Sequence, residues 1–308
     1  MYDAIIVGAG PAGLSAALIL GRCRRRVLLC DAGHPRNAAS RELHGFLTRD
    51  GISPPELLRL GREQLARYET IDFLHAEVVE ASRREGAFDI RLADGTDYTS
   101  RMLLLATGVV DELPDIPGLE SLYGHSVFHC PYCDGWEVRD QPLAMYKPGG
   151  SGIQSVLNLT VWSRDIILCT DGPATLSPEE REQLACHSIP VCEARITELQ
   201  GTDGQLEQIV FDDGSRLPRR AMFLRSKFRQ RCDLPARLGC EFTEEDVVDS
   251  GRKQTTNIPG LFVAGDASRE AQLAIVAAAE GAKAAFAINA ALTQADTEAI
   301  ANGSSARQ

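Results

Sequence analysis

The chain has 308 residues, 44% of them hydrophobic and 24% charged, and this composition excludes collagen, a coiled coil or a disordered chain as the main state. Acidic residues outnumber basic ones 43 to 32, giving a formal net charge of −11, so a nucleic-acid partner is disfavoured. The sequence has no run of 18 or more apolar residues and an apolar strand begins at Ala4, so it predicts neither a transmembrane segment nor a signal peptide. We expect a cytoplasmic protein of two domains.

The N-terminal stretch has the order strand, glycine-rich turn, helix, strand. Residues 2–7 and 27–31 are continuous apolar runs, which is typical of parallel strands buried on both faces. Between them, a Gly-x-Gly-x-x-Gly turn precedes a predicted helix over residues 14–20, and Asp31 follows 18 residues after the third glycine. The turn consists of Gly8, Ala9, Gly10, Pro11, Ala12 and Gly13. This order is the dinucleotide-binding fingerprint in its required context.

Each position of the turn suits a bound nucleotide. Gly8 permits the tight turn, Gly10 lets the backbone approach a pyrophosphate, and Gly13 allows the helix to pack closely on the sheet. The helix N-terminus directs free N–H groups at the phosphates, and Asp31 would accept a hydrogen bond from a ribose hydroxyl. The alternative is a glycine turn that binds no nucleotide, which this context disfavours.

Two further buried strands end in small residues, over residues 103–108 and 261–266. The second of these ends in Gly265 and Asp266, and this acidic turn favours FAD over NAD because the ribityl chain of a flavin needs a second anchor. An alanine-rich helix, predicted from residue 273 to about 292, would direct its positive end at the flavin. The alternative for Asp266 is a plain helix N-cap.

Nine cysteines are present, and only Cys130 and Cys133 form a tight C-x-x-C pair. This spacing is found in redox-active disulfides and in halves of zinc sites. A zinc site normally needs a second such pair, and the candidates over residues 186–192 have nonstandard spacing. We therefore predict a redox pair and no metal. Asp134 could move the proton that thiol–disulfide exchange requires, although an Asp before Gly135 is also a common turn residue.

Four motifs, in the same order, resemble the low-molecular-weight thioredoxin reductase family. They are the turn at 8–13, Ala-Thr-Gly at 106–108, Cys-Pro-Tyr-Cys-Asp-Gly at 130–135 and Gly-Leu-Phe-Val-Ala-Gly-Asp-Ala at 260–267. The resemblance spans nearly the whole chain and implies a homodimer of α/β fold, with two Rossmann-like three-layer domains, the second inserted in the first. It implies an FAD-binding domain of residues 1–115 and 248–308 around an NAD(P)-binding-like domain of residues 116–247 that carries the redox pair.

The resemblance also implies roles for individual residues. Cys133 would face the flavin, Cys130 would attack a partner's disulfide, and Asp134 would act as acid and base. Gln272 and Leu273 would lie beside the pyrimidine edge of the flavin. The residues predicted to bind FAD are Gly8, Gly10, Pro11, Ala12, Gly13, Asp31, Asn37, His44, Val78, Ala106, Thr107, Gly108, Gly265, Asp266, Gln272 and Leu273.

The inserted domain departs from the family's NADPH site in three places. Where the family has the first glycine of its Gly-x-Gly-x-x-Gly/Ala turn, this chain has Lys147, whose side chain would fill the space of the pyrophosphate. Where the family has basic residues for the 2′-phosphate, this chain has Asp171, which would repel that phosphate. A third turn, ordinarily glycine-containing, is replaced by residues 224–231. The sequence therefore predicts that NADPH is not the normal donor.

The replaced turn lies in a basic stretch. Its basic residues are Arg219, Arg220, Arg225, Lys227, Arg229 and Arg231. Such a cluster is usually a solvated surface. The functional alternative is a docking site for an acidic redox protein such as ferredoxin, or for the phosphates of a second nucleotide or flavin.

The sequence leaves several functions open. The leading one is an FAD-dependent thiol/disulfide oxidoreductase of the thioredoxin reductase type, which passes electrons from a donor other than NADPH through FAD and the Cys130–Cys133 disulfide to thioredoxin or a similar protein. Running in reverse, the same groups would form a dithiol oxidase with oxygen or a quinone as acceptor. A classical NADPH-dependent thioredoxin reductase and a non-enzymatic, flavin-bearing redox sensor are also compatible with the motifs.

Overall fold

The computed structural model describes residues 1–268 and 272–301, which form two compact units. The first unit comprises Met1–Ala38, Phe46–Val110 and the chain from Phe228 onward, and the second comprises Ala39–Gly45 and Asp111–Lys227. Each unit has its own parallel sheet and its own hydrophobic core. The expected α/β fold, with one domain inserted in another, is confirmed.

Helices alternate with strands at the start of the chain and between residues 119 and 192, and two runs of consecutive strands, over residues 71–112 and 191–230, interrupt this order. The first elements in chain order are β1 (Tyr2–Val7), α1 (Pro11–Arg22), β2 (Val27–Asp31), α2 (Pro54–Leu65), β3 (Ile71–His75), β4 (Val78–Arg84), β5 (Ala87–Leu92), β6 (Asp97–Leu105) and β7 (Val109–Glu112). The next are α3 (Leu119–Leu122), β8 (Val127–Phe128), α4 (Pro131–Asp134), β9 (Leu143–Tyr146), α5 (Gln154–Asn158) with a 3₁₀ turn (Leu159–Val161), β10 (Ile166–Cys169), α6 (Pro178–Cys186) and β11 (Val191–Cys192). The last are β12 (Ile196–Thr202), β13 (Gln205–Phe211), β14 (Arg216–Pro218), β15 (Ala221–Leu224), β16 (Lys227–Gln230), α7 (Leu234–Leu238), β17 (Leu261–Val263) and α8 (Ala274–Ala301).

The sheet of the first unit has the order β3-β2-β1-β6-β5-β4, with β17 also paired to β6. Strands β3, β2, β1, β6 and β17 are parallel, whereas the hairpin β4–β5 joins the start of β6 in antiparallel fashion. Ile5 lies opposite Leu28 on one side and Leu103 on the other, and all three are fully buried. The continuous apolar runs thus form central parallel strands, as predicted, because both sheet faces are covered.

Helices α1 and α8 cover one face of this sheet. Their buried side chains pack with Ile6 and Leu29 in one apolar cluster. Helix α8 ends at Ala301, about nine residues later than the predicted end. It is long and apolar enough to span a membrane, but the face it buries is what a core helix of a folded domain presents. That face consists of Ala277, Glu280, Gly281, Ala284, Ala285, Ile288 and Leu292.

The second unit contains a five-stranded parallel sheet of order β11-β10-β9-β15-β8 and a three-stranded antiparallel sheet of β12, β13 and β14. All eight residues of strands β9 and β10 are buried, which explains why their sequences are apolar without alternation. This sheet is the framework that carries the redox pair and the loop predicted to have lost NADPH binding.

The limits of the units differ from the predicted domains of residues 1–115, 116–247 and 248–308. The structure assigns the segment after Lys227 to the first unit, because Leu234 and Cys240 pack with Phe88 and Val248 in its core. It also assigns Ala39–Gly45 to the second unit, where Arg41 donates to the carbonyl of Asp203 at 3.0 Å.

Candidate functional site: a disulfide, an acid and two nucleotide-type turns

Cys130 and Cys133 form a disulfide in the second unit, with their Cα atoms 5.3 Å apart. The single-turn helix α4 places them, with Cys130 as its N-cap and Pro131 at its first position. The backbone N–H of Cys133 donates to Sγ of Cys130 at 3.2 Å. A backbone N–H directed at this sulfur favours its thiolate once the bond is reduced. The pair therefore has the geometry of a redox disulfide.

Asp134 follows the disulfide directly and is partly buried. Its pKa is raised to about 7, mainly by burial and also by the negative charge of Glu137, while His44 opposes the rise. Nε2 of His44 lies 3.4 Å from a carboxylate oxygen of Glu42 and 3.5 Å from one of Glu137. A carboxyl that titrates near neutral pH can both give and take a proton beside the sulfurs.

His44 was predicted to contact the flavin in the first unit. The structure places it in the second unit, in the segment Ala39–Gly45, within the electrostatic environment of Asp134. Sequence reasoning missed this grouping because 90 residues separate His44 from Asp134. It also missed Glu42 and Glu137, whose isolated acidic side chains gave no pattern.

Two large aromatic side chains flank the disulfide and are exposed to solvent. Tyr132 is 72% exposed and Trp136 65% exposed. The ring of Tyr132 meets Trp162 edge-on at 5.6 Å between centroids, and the guanidinium of Arg139 lies 4.0 Å from the centre of the Trp136 ring. Exposed aromatic surface beside a reactive group marks a place where a partner or an apolar substrate binds.

The turn after β1 has the close contacts of a dinucleotide-binding turn. Gly8 has a φ of +103°, and a Cβ there would lie 2.3 Å from the carbonyl oxygen of Ala106. A Cβ on Gly13 would lie 1.8 Å from the carbonyl oxygen of Gly8. At Gly10, the N-cap of α1, a Cβ would meet no described atom within 4 Å. The turn thus leaves open space at the start of a 12-residue helix beginning at Pro11, and this cradle fits a pyrophosphate.

The remaining predicted FAD residues of the first half lie around the ends of neighbouring strands. Asp31 ends β2, and its Oδ1 accepts a hydrogen bond from the N–H of Gly33 at 3.3 Å. Val78 begins β4 and is buried in the core. Asn37 lies partly buried in the loop after β2.

Ala12 is buried within α1, and the group Ala106, Thr107 and Gly108 directly follows β6. The ends of β1, β2 and β6 meet at one sheet edge, which is where α/β folds bind nucleotides.

The acidic turn after β17 is held by residues that the sequence did not single out. Oδ2 of Asp266 accepts from Arg36 at 2.9 Å, and the same Arg36 nitrogen also donates to Gln272. Leu273 is partly buried directly before α8. The carboxylate of Asp266, which the sequence predicts to anchor the ribityl chain, is therefore already ion-paired with Arg36.

Glu280 is a buried carboxylate on the packed face of α8. One of its oxygens accepts from the backbone N–H of Gly265 at 3.0 Å, and the other faces the Gln254 amide at 3.4 Å. It thereby fixes the turn that carries Asp266. The sequence could have indicated this role, because Glu280 lies three residues after Ala277 on the apolar face of the helix. A glutamate on such a face is buried and needs a hydrogen-bond partner.

The loop after β9, by contrast, is bonded to a carboxylate of this chain. Oε1 of Glu180 accepts from the backbone N–H of Gly152 at 2.7 Å, and Oε2 accepts from Ser177 at 2.9 Å. These N–H groups lower the pKa of Glu180, and the positive charge of Lys147 lowers it further. The backbone N–H of Gly152 in this loop thus already has an anionic partner.

Asp171 has a structural role at the end of β10. Its two oxygens accept from the hydroxyl of Tyr146 at 2.9 Å and from the backbone N–H of Ile196 at 2.8 Å. The carboxylate therefore joins β9 to β12. Burial lowers the pKa of Lys147, and the nearby charge of Arg225 lowers it further.

Comparison with known proteins places these features in context. Residues 2–281 match the family described as pyridine nucleotide-disulphide oxidoreductase. A protein of Arthroderma benhamiae named "Probable thioredoxin reductase" is 32% identical over 97% of this chain and 82% of its own length. The thioredoxin reductase of Mycolicibacterium smegmatis is 28% identical over 93% of this chain and 95% of its own. The crystal structure of HlmI superposes with a TM-score of 0.92 at 35% identity, covering 98% of this chain and 96% of that one.

Proposed function

We propose that this chain, which belongs to the pyridine nucleotide-disulphide oxidoreductase family as a thioredoxin reductase-like, FAD-dependent oxidoreductase, exchanges electrons between FAD and the Cys130–Cys133 pair without using NADPH. The observation that carries the proposal is the bond from the N–H of Gly152 to the carboxylate of Glu180 at 2.7 Å. A dinucleotide pyrophosphate needs such N–H groups and repels a second anion in the same place.

The first unit fits FAD through the open space at Gly10 and the close packing of Gly8 and Gly13. Bound there, FAD would supply two-electron exchange with a dithiol or a disulfide. Asp31 would hold the ribose, and the start of α1 the phosphates. The protein's own contribution is to hold the cofactor through these groups and to present the sulfur pair.

The sulfur chemistry follows from the geometry of α4. In the reduced pair, the Cys130 thiolate attacks one sulfur of a partner disulfide, forming a mixed disulfide and releasing one partner thiolate. The Cys133 thiolate then attacks Sγ of Cys130, which re-forms the disulfide and releases the second partner thiolate. Asp134 exchanges the protons that accompany these steps, because its pKa of about 7 allows both forms near neutral pH. The partner is thioredoxin or a similar protein.

An acidic redox protein such as ferredoxin is the proposed donor in this direction. Lys227 and Arg229 alternate along β16 with their side chains exposed, as charge complementarity to an acidic surface requires. Electrons would then enter without the loop after β9 taking part.

A second candidate is a dithiol oxidase, in which a bound dithiol reduces Cys130–Cys133 and oxygen or a quinone finally accepts the electrons. The exposed rings of Tyr132 and Trp136 favour it, because they offer apolar contact to a dithiol directly at the disulfide. The direction is set by the reduction potentials of the two couples.

The proposal is tested by turnover of the FAD-loaded protein with different electron sources. With a thioredoxin as acceptor, we expect NADPH consumption no faster than the rate without enzyme, but turnover with reduced ferredoxin. With dithiothreitol alone, oxygen consumption that depends on Cys130 would favour the oxidase direction. NADPH consumption that saturates with NADPH and requires thioredoxin would overturn the proposal.

A further inference from the structure

Cys169 and Cys192 form a second pair of thiols in the second unit. They end the neighbouring parallel strands β10 and β11, and the strand register places them directly opposite each other. Both belong to the apolar cluster that also contains Tyr146, so their side chains leave the sheet on the same face. Adjacent strands lie about 4.8 Å apart, which is within the Cα separation that a disulfide spans. Neither residue is bonded to another cysteine in this structure.

The two thiols have different environments. The S–H of Cys169 donates to Sγ of Cys192, and the backbone N–H of Ala194 also donates to that sulfur. Both contacts favour the thiolate of Cys192, and they hold its pKa below the ordinary value against the opposing charges of Asp212 and Asp213. Its partner is fully buried, and its pKa is raised. Cys192 is only partly buried, so a small molecule can reach it.

We propose that Cys192 is a second nucleophilic thiol of this protein, which low-molecular-weight disulfides modify, and that Cys169 resolves the adduct into a Cys169–Cys192 disulfide. This site is separate from the Cys130–Cys133 pair and does not depend on the electron donor proposed above. It lies at the carboxyl end of the second unit's sheet, beside Asp171.

The reaction is balanced between the two cysteines and one external disulfide. The Cys192 thiolate attacks one sulfur of the external disulfide, forming a mixed disulfide and releasing one small thiolate. Cys169 then attacks Sγ of Cys192, its proton passes to the departing sulfur, and the second small molecule leaves as a thiol. Two protein thiols are oxidised to one disulfide, while one external disulfide is reduced to two thiols.

The test uses the full-length, FAD-loaded protein carrying Cys186→Ser, so that the tryptic peptide 182–195 contains Cys192 as its single cysteine. The protein is treated with oxidised glutathione at pH 7, quenched in acid, digested and analysed by mass spectrometry. We expect peptide 182–195 to be linked to peptide 165–181, which contains Cys169. With Cys169→Ser added, we expect the link to be replaced by one glutathione on Cys192. With Cys192→Ser instead, Cys169 should stay unmodified.

A second measurement does not use the Cys169→Ser variant and therefore tests the proposal even if that variant fails to fold. Iodoacetamide alkylation of the otherwise unchanged Cys186→Ser protein should label Cys192 on the order of five times faster at pH 7 than the exposed Cys23, because a larger thiolate fraction outweighs its lower nucleophilicity. Labelling of Cys192 at or below the rate of Cys23 would overturn the proposal. So would a glutathione adduct on Cys192 that never gives way to the link in the presence of Cys169.

Discussion

The turn of residues 8–13 and the loop of residues 147–152 occupy equivalent places in the two units. Each follows a parallel strand, β1 or β9, and precedes a helix. At the first, the position of a side chain on Gly10 is open space among the described atoms. At the second, the N–H of Gly152 is bonded to Glu180. The same supersecondary structure is therefore kept in both, while in the second a carboxylate 28 residues away along the chain accepts a hydrogen bond from the backbone of the loop.

The helices that follow the two turns also differ, in their length. Helix α1 has 12 residues, whereas α5 has five and continues into a 3₁₀ turn. A longer helix aligns more peptide dipoles towards its N-terminus. The first unit thus combines open space at Gly10 with a 12-residue helix, whereas the helix after the second loop has five residues.

The largest expected effect comes from the two cysteines of the disulfide. It tests the sulfur chemistry separately from the turn at residues 8–13 and the loop at residues 147–152. Replacing Cys130 or Cys133 by Ser should lower disulfide or dithiol turnover by at least about 1000-fold, because the nucleophile or the resolving thiol is lost. The flavin absorbance spectrum and the FAD content should stay unchanged, since neither residue lies in the FAD unit. Turnover within a factor of two of the unmodified protein would contradict the mechanism.

The next effect tests the contrast between the turns with a matched pair of glycine variants. Gly13→Ala should lower the free energy of unfolding by about 3 kcal/mol and abolish FAD binding, because its Cβ would lie 1.8 Å from the carbonyl of Gly8.

The control is Gly152→Ala, where the nearest described atom would be Nζ of Lys147 at 3.9 Å. It should cost only about 1 kcal/mol, from the positive φ of +71°, and leave the FAD content intact. Flavin fluorescence and urea unfolding measure both quantities. Equal FAD loss in the two variants would break the contrast.

Much of this contrast could be predicted from local sequence. The apolar runs of β1, β2 and β9 and the glycine spacing at 8–13 are short-range patterns whose meaning does not depend on the rest of the chain. Lys147 and Asp171 were also visible as departures from the family's NADPH site. The C-x-x-C spacing left a redox disulfide and half of a zinc site open, and the structure shows the disulfide.

The rest depends on pairings between distant residues, which no local pattern encodes. Glu180 was invisible as a ligand of Gly152 because its Ser-x-x-Glu spacing is an ordinary capping box. Arg36 and Asp266 meet across 230 residues. The compact second unit ends 20 residues before the predicted domain limit, because Leu234 belongs to the first core only through tertiary packing.

Asp134→Asn should have a smaller effect on turnover, about 100-fold, at the lower end of what a positioned acid–base group contributes. In the unmodified protein, the pKa of Asp134 is raised from 3.8 to about 7, so the folded state binds a proton that the unfolded state has lost between these values. The stability that this proton provides is present at low pH and is lost as the pH rises through 7.

The variant should therefore show a flatter decrease of unfolding free energy between about pH 4 and 7, and its pH–rate profile should lose the inflection near 7. Glu137→Gln is the companion variant, because it removes one of the charges that raise the pKa of Asp134. It should move that inflection to lower pH. An inflection unchanged in both variants would exclude Asp134 as the titrating group.

The smallest expected effect is at Glu180. Glu180→Ala removes the capping box of α6 and the bond to Gly152, and should slightly lower the stability of the second unit. Glu179→Ala, one residue earlier on the same exposed turn, is the control and should cost less. Thermal unfolding measures both, and a larger loss in the Glu179 variant would contradict the assigned role.

The most direct test of the central claim is an anaerobic titration of the FAD-loaded protein, followed by flavin absorbance, with NADPH added first and dithiothreitol second. We predict that stoichiometric NADPH leaves the flavin oxidised, because Glu180, Lys147 and Asp171 already occupy or oppose the site. Dithiothreitol should then bleach the flavin through Cys130 and Cys133. Bleaching by stoichiometric NADPH would show a working nucleotide site in the second unit and contradict the account.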